Sequence, residues 1–285
     1  MWLINTQTLK LEWVTDPKSK RYAILSHTWT ESQEVTFNEF RTGACDKDST
    51  GYKKIQQACR LARRRKEPLQ YCWVDTCCID KSSSAELSEA INSMYAWYQN
   101  AAICLAYLED MPPGTWRPDG DGNGDSADGS YGDPDRLTSQ LEKCRWFHRG
   151  WTLQEFIAPK RVEFYNSEWV NCGTKRGHCH VLKAVTGVPF RVLRGQRPAT
   201  SYPVCYRMSW AANRETTREE DVAYCLLGLF DINMPLLYGE GRKAFRRLQE
   251  EIIRQYHDPT LFLWRAKDAE EEKYRGLLAH SPSEF

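Results

Sequence analysis

The sequence predicts an α/β fold: a mostly parallel sheet with helices on both faces, elaborated by a helical C-terminal lobe. Two observations carry this. Between residues 22 and 110, short continuous apolar runs alternate with amphipathic helix patterns, and beyond residue 170 the pattern turns helical with little strand signal. A continuous apolar run suits a strand buried on both faces. A helix joining two parallel strands must pack back on the sheet, so the alternation implies helical cover.

Taken in order, "MWLINTQTLKLEW" (1–13) alternates apolar and polar residues with no basic segment ahead of an apolar block, so it is not a secretory signal. "YAILSHTW" (22–29) is the first core strand and ends in polar residues. A helix follows over 52–66, built on Tyr52, Ile55, Cys59 and Ala62. Its closing "RLARRRK" (60–66) puts cations where the helix dipole favours them, a simpler reading than anion binding. "LQYCWVD" (69–75) is the second strand. Ala85 to Asn100 carries Leu87, Ile91, Met94 and Tyr98 at helical spacing, and "AICLAYL" (102–108) is the third strand. "CRWFHRGWTLQEF" (144–156) reads as one helix and "RVEFYN" (161–166) as a further strand. In the C-terminal third, "TTREEDVAYCLLGLF" (216–230) opens with Thr217 and Glu220 in capping-box register, and Phe245, Leu248, Ile252 and Tyr256 give 240–256 an apolar face. "LFLW" (261–264) is a weak strand candidate, and the glycines of "YGEGRK" shape the start of a helix rather than a phosphate loop.

Residues 1–285 are expected to form a single domain, with an α/β core over 1–170 and a mainly helical extension over 171–285. The Gly-, Asp- and Pro-rich stretch at about 111–135 is expected to be a disordered insertion. Asp119, Asp121, Asn123, Gly124 and Asp125 match half of a calcium-binding loop, but Ser130 stands where the bidentate carboxylate is needed. A chain of 285 residues, 41% hydrophobic and 27% charged, has ordinary globular composition. Its net charge of +1 supplies no global field for nucleic acid. Eleven cysteines, an odd number with no CxxC pair and several inside apolar runs, suit a reducing cytoplasm, and no run reaches membrane-spanning length. The ending "GLLAHSPSEF" suggests a piece of a longer protein.

"RGWTLQEF" (149–156) poses the functional question. Leu153, Phe156 and Ile157 form an apolar stripe, while Trp151, Gln154, Glu155 and Ala158 lie opposite. Either another segment covers that second face, or Trp151 and Glu155 line a cleft. Ligands in open α/β sheets gather at the carboxyl ends of strands, where Ser26, His27, Thr28, Trp29 and Asp75 fall.

Together "RYAILSHTW", "YCWVDTCCIDKSSSAELSEAINSMYAWYQNA", "CRWFHRGWTLQEF" and the later "MSWAANRETTREEDVAYCLLGLFDINMPLLYGEGRKAFRRLQEEI" resemble the fungal heterokaryon-incompatibility (HET) domain family over nearly the whole chain. That resemblance implies self/non-self recognition between fused fungal cells and regulated cell death. A more distant resemblance, in element order, is to Toll/interleukin-receptor (TIR) domains, which implies a flavodoxin-like sheet. In catalytic TIR domains the glutamate of a W-x-x-x-E helix is required to cleave NAD, and the matching residues are Trp151 and Glu155. The longer acidic insertion, the missing Gly-Pro turn after Asp75 and the helical lobe depart from the TIR pattern.

The implied chemistry is sound. Cleaving nicotinamide from ribose passes through an oxocarbenium-like cation, which a carboxylate at Glu155 would stabilise with no cofactor and no metal. Trp29 and Trp151 would stack on flat rings, Ser26 and Thr28 would meet phosphates, and Arg145 and Arg149 would supply charge. Partners expected are NAD or a related nucleotide, further copies of the chain on activation, and a regulatory or sensor protein. The rival is a non-catalytic assembly module in which Glu155 pairs with Arg149 or the C-terminal lobe. Asp75 and Asp80 as a divalent site, and Cys172, His178, Cys179 and His180 as a zinc site, are weaker alternatives.

Overall fold

The computed structural model describes residues 1–114, 134–266 and 276–285, with side chains over 134–136 left aside. Most of the expected insertion and the half-matched calcium loop therefore lie outside the described residues. The strands are β1 (Trp2–Asn5), β2 (Lys10–Trp13), β3 (Tyr22–His27), β4 (Tyr71–Trp73), β5 (Ile103–Tyr107), β6 (Val162–Tyr165) and β7 (Asn171–Thr174). They form one mixed sheet in the order β2-β1-β4-β3-β5-β6-β7. The expected α/β class holds, but the sheet is mixed, with three parallel and three antiparallel pairings, rather than mostly parallel. The parallel part is the central β4-β3-β5-β6, and antiparallel strands finish both edges.

Three helices make the crossovers, numbered in chain order after α1 (Phe37–Thr42): α2 (Thr50–Arg63), α3 (Ser84–Asn100) and, after α4 (Pro134–Leu141) and α5 (Arg145–His148), α6 (Trp151–Ile157). The chain steps from β3 to β4 in one direction and then through β5 to β6 in the other. Right-handed crossovers therefore send α2 to one face and α3 and α6 to the other. The side chains of β3 agree, since residues two apart share a face. Tyr22 donates its hydroxyl to the Trp97 carbonyl of α3 (2.6 Å), and Ser26 meets α6. His27 points the other way, toward Glu34 near the start of α2.

The helix ends follow from the sequence. Ser49 and Ser83 cap α2 and α3 by accepting from the amides of Tyr52 and Glu86, and Arg60 and Arg63 close α2. Every residue of β3 and β5 is buried, as continuous apolar runs require.

The C-terminal part holds α7 (Cys179–Thr186), α8 (Phe190–Leu193), α9 (Val204–Ser209), α10 (Asp221–Tyr224), α11 (Leu227–Phe230) and α12 (Lys243–Gln255). It packs a second layer on the face carrying α3 and α6. Gly228 is required there, because a Cβ would stand 2.0 Å from Tyr95 Cβ on α3. Several expectations are corrected. The helix over 216–230 is two short helices, and Glu220 does not close a capping box with Thr217. Its carboxylate instead accepts from the amides of Gly239 and Gly241, whose positive φ angles of +105° and +59° suit glycine. The first half of "LFLW" ends a 3-10 turn (Pro259–Phe262), and none of it is strand. β7 extends the sheet beyond residue 170.

Candidate functional site

The chain does not run as one helix through 144–156. Gly150 and Glu215 exchange the sheet-like bonds Gly150 N–H to Glu215 O (2.8 Å) and Glu215 N–H to His148 O (2.6 Å), which draw the backbone out of the helix between α5 and α6. Only glycine fits, since a Cβ on Gly150 would meet Thr216 Cγ2 at 2.6 Å and Cys225 Sγ at 3.1 Å. The Thr152 hydroxyl bonds the carbonyls of Trp146 and Arg149, so α5 stays tied to α6 across the break.

This arrangement fixes Glu155 against the sheet. Ser26 Oγ donates to Glu155 Oε2 (2.5 Å) and accepts from Trp146 Nε1 (2.8 Å). The Tyr98 hydroxyl hydrogen-bonds the same carboxyl, while its own proton goes to the Leu25 carbonyl (3.0 Å). Like the Ser26 bond, the Tyr98 contact works to lower the Glu155 pKa. Glu155 is 5% exposed. Burial first, and the charge of Asp75 second, push its pKa up to about 8 against the smaller opposing effect of the Ser26 bond. It is a mainly neutral acid at pH 7.

A second cluster sits at the same strand ends but nearer solvent. Asp75 accepts from Trp29 Nε1 (2.9 Å) and lies 3.2 Å from His27 Nε2. Burial works to raise the Asp75 pKa, and the contact with His27, aided by Lys81 and Trp29, outweighs it and holds the carboxyl below its ordinary value. The Lys81 ammonium lies 3.6 Å from the centre of the Trp29 ring, so one face of this half-exposed indole is already occupied. Arg145 reaches the Trp29 carbonyl (3.3 Å). Thr28 is buried, and its carbonyl accepts from Lys54 Nζ, which also pairs with Glu34 at 2.8 Å.

The expected residues thus divide in three. Ser26 and Glu155 touch; His27, Trp29 and Asp75 form their own contact, with Arg145 at its rim and Thr28 beneath. Arg149 and Trp151 turn instead to the C-terminal lobe. Arg149 Nη2 donates to Thr217 Oγ1 (3.0 Å), and the Trp151 indole bonds Asp221. The second face of α6 is covered by another segment, not by an open cleft. The rival pairing of Glu155 with Arg149 is not made. The nearby guanidinium is Arg214, whose Nη1 donates to Arg149 O (2.8 Å) and Thr152 Oγ1 (2.9 Å). Burial lowers the Arg214 pKa to about 10, and its Nη2 is enclosed with no hydrogen-bond partner among the described residues.

Sequence reading missed Tyr98, Trp146, Lys54, Lys81 and Arg214. Lys54 left one trace, a cation beside Ile55 on the buried side of α2. Of the metal alternatives, Cys179 accepts from Arg194, His180 packs on Phe190, and Asp80 accepts from Ser82. Among the described residues no three His, Cys, Asp or Glu side chains gather to hold a metal ion. No helix among them is long and apolar enough to cross a membrane.

Residues 22–155, from the first residue of β3 to Glu155 itself, match the family model for heterokaryon incompatibility protein (HET). Over these residues, just under half of its length, the chain is similar to a HET domain. All nine candidate residues lie within that match. Residues 243–284, which include α12, match a domain of unknown function. The chain is 43% identical over 268 residues to vegetative incompatibility protein HET-E-1 of Podospora anserina, an alignment covering 91% of this chain and 18% of that protein. The chain thus spans less than a fifth of that relative's length. No solved structure matches it.

Proposed function

We propose that this chain is a self/non-self recognition module that triggers regulated cell death. The further reading is that, on self-association, it hydrolyses NAD or a related nucleotide at the nicotinamide–ribose bond. The likeness to a vegetative incompatibility protein supports the biological role. One observation carries the chemistry: Glu155 and Asp75 interact at the strand ends with their pKa values driven apart, Glu155 up to about 8 and Asp75 below its ordinary value. Such a divergence is how carboxyl pairs are set for acid–base and charge-stabilising work. The β4-β3-β5-β6 order, which reverses direction at β3, supports the TIR-like reading of the sheet.

In this reading the C–N bond between ribose and nicotinamide breaks, the electron pair leaves with nicotinamide, and ionised Glu155 stabilises the cationic ribose. Water then adds and loses a proton, giving ADP-ribose. No metal and no resident cofactor takes part. The described state is closed, because Glu155 is neutral and covered, and activity requires a partner or further copies to open it.

A second reading, a non-catalytic assembly module, is favoured by the 5% exposure of Glu155 and its bond to Ser26. Nicotinamide release by the concentrated chain, tethered at high density on beads, separates the two. Release by the wild type that is abolished in Glu155→Gln supports hydrolysis; equal, near-zero release from both supports the assembly module.

A further inference from the structure

At the end of the sheet opposite Glu155 lies a cavity of about 460 Å³. Arg21, at its rim, precedes Ser26 by five residues, about 16 Å along an extended strand. Cations converge on the cavity from three separate stretches of chain: Arg21 ahead of β3, Arg64, Arg65 and Lys66 after α2, and Arg161 ahead of β6. The dipole of α2 accounts for cations in its own last turn. It gives no reason for Arg21 and Arg161 to face the same hollow.

The carboxylates present neutralise only part of this charge. Glu67 pairs with Arg21 (2.7 Å) in a solvent-exposed contact of small worth. Glu163 holds Arg65 through two bonds, 2.5 and 2.9 Å, and lies 3.9 Å from Arg161. The pairing with Arg65 is a half-buried planar fork, so this guanidinium is held in direction. Five cations against two carboxylates leave a net charge of +3 around the hollow. Arg64 and Lys66 have no ion-pair partner among the described residues. Leu69 and Ile103 supply apolar wall.

We propose that this cavity binds a small ligand carrying clustered phosphates. A concave site of this size suits a small molecule, and a chain with an overall charge of +1 lacks the broad field that holds a nucleic-acid polymer. Tripolyphosphate or ATP would seat its phosphates between Arg64, Lys66 and Arg161, with Arg65 oriented from below by Glu163. The site is independent of Glu155, so it stands or falls apart from NAD hydrolysis.

The test is calorimetric titration of the full chain with tripolyphosphate and with ATP at low salt, beside co-sedimentation with phosphatidylcholine vesicles containing phosphatidylinositol bisphosphate. The double variant Arg64→Ser/Lys66→Ser removes two exposed cations. The control Arg246→Ser/Arg254→Ser removes two from α12, and Arg64→Lys/Lys66→Arg keeps the charge. Binding of a soluble polyphosphate should weaken about tenfold or more in the first variant, as expected for two lost charge-assisted contacts. It should persist in the other two. Vesicle binding with the same pattern, and none to the soluble probes, supports the same phosphate chemistry presented by a lipid headgroup. Absence of binding to every probe at about 1 mM, near the weak limit of specific recognition, overturns the proposal. So does an equal loss in the α12 control, which would mark general charge attraction.

Discussion

Replacing Glu155 with Gln should stabilise the protein increasingly as pH rises. The pKa of this carboxyl moves from 4.5 to about 8 on folding, chiefly through burial. Because the folded value is the higher one, the folded state holds more protons between pH 4.5 and 8. Its contribution is fully present below pH 4.5 and is lost as pH climbs through 8. Each pH unit inside that window removes about 1.4 kcal/mol, so the interval from about pH 5.5 to about 7.5 removes about 2.7 kcal/mol. The introduced glutamine fills the same volume, accepts from Ser26 through its amide oxygen and does not titrate. Urea unfolding of both proteins at several pH values gives the difference in stability, with other titrating groups largely cancelling. That difference should move toward the variant by about 2.7 kcal/mol over the interval. A difference that stays flat with pH would mean that Glu155 is ionised in the fold, and the argument from burial would fail.

Three further outcomes follow. Ser26→Ala leaves both Glu155 Oε2 and Trp146 Nε1 without their shared partner in a buried setting, and should cost about 2 kcal/mol in urea unfolding. Gly228→Ala drives a methyl group into Tyr95, and should cost about 3 kcal/mol or separate α11 from α3, read as a lowered melting temperature. Arg214→Lys keeps the charge but replaces the guanidinium whose Nη1 reaches both Arg149 O and Thr152 Oγ1 with a shorter, differently shaped donor. Hydrogen exchange should quicken in peptides spanning 145–157 by the equivalent of about 1–2 kcal/mol, with β3 and β5 unchanged; uniform protection would refute its role as a clamp.

The central strands and their crossover helices were legible because each is a continuous apolar run or a helical stripe, a signal carried by adjacent residues. The N-terminal hairpin was not. Its alternation is plain in "WLINTQTLKLEW", but its turn has no Gly or Pro punctuation. It is built instead by Asn5 Oδ1 accepting from the amides of Gln7 and Thr8. β7, the four residues "NCGT", shows no strand pattern and is defined by pairing with β6. At the site, the sequence placed Ser26, His27, Trp29 and Asp75 at the strand ends; Ser26 meets Glu155, while Asp75 contacts His27 and Trp29. Their protonation and cover were not legible. They depend on contacts as distant as Ser26 to Glu155, 129 positions apart, and on Arg214 from the C-terminal lobe.

Under the catalytic reading, two barriers separate the closed chain from an active one, and their sizes can be compared. Ionisation is the smaller. With a pKa of about 8, about a tenth of the molecules carry a charged Glu155 at pH 7, a deficit of about 1.4 kcal/mol. Access is the larger. Ser26 and Tyr98 belong to the sheet and a crossover helix, so the cover able to move is α5 with the stretch 214–217. Besides the exposed bond from Arg149 to Thr217, four hydrogen bonds among the described residues tie the two sides together there, two between Gly150, Glu215 and His148 and two from Arg214. At about 1 kcal/mol net apiece, parting them costs about 4 kcal/mol and leaves about one molecule in a thousand open. A trigger that only altered local charge would therefore gain about tenfold. One that binds the parted state of the C-terminal lobe could recover about a thousandfold, and control of this domain should act through that lobe.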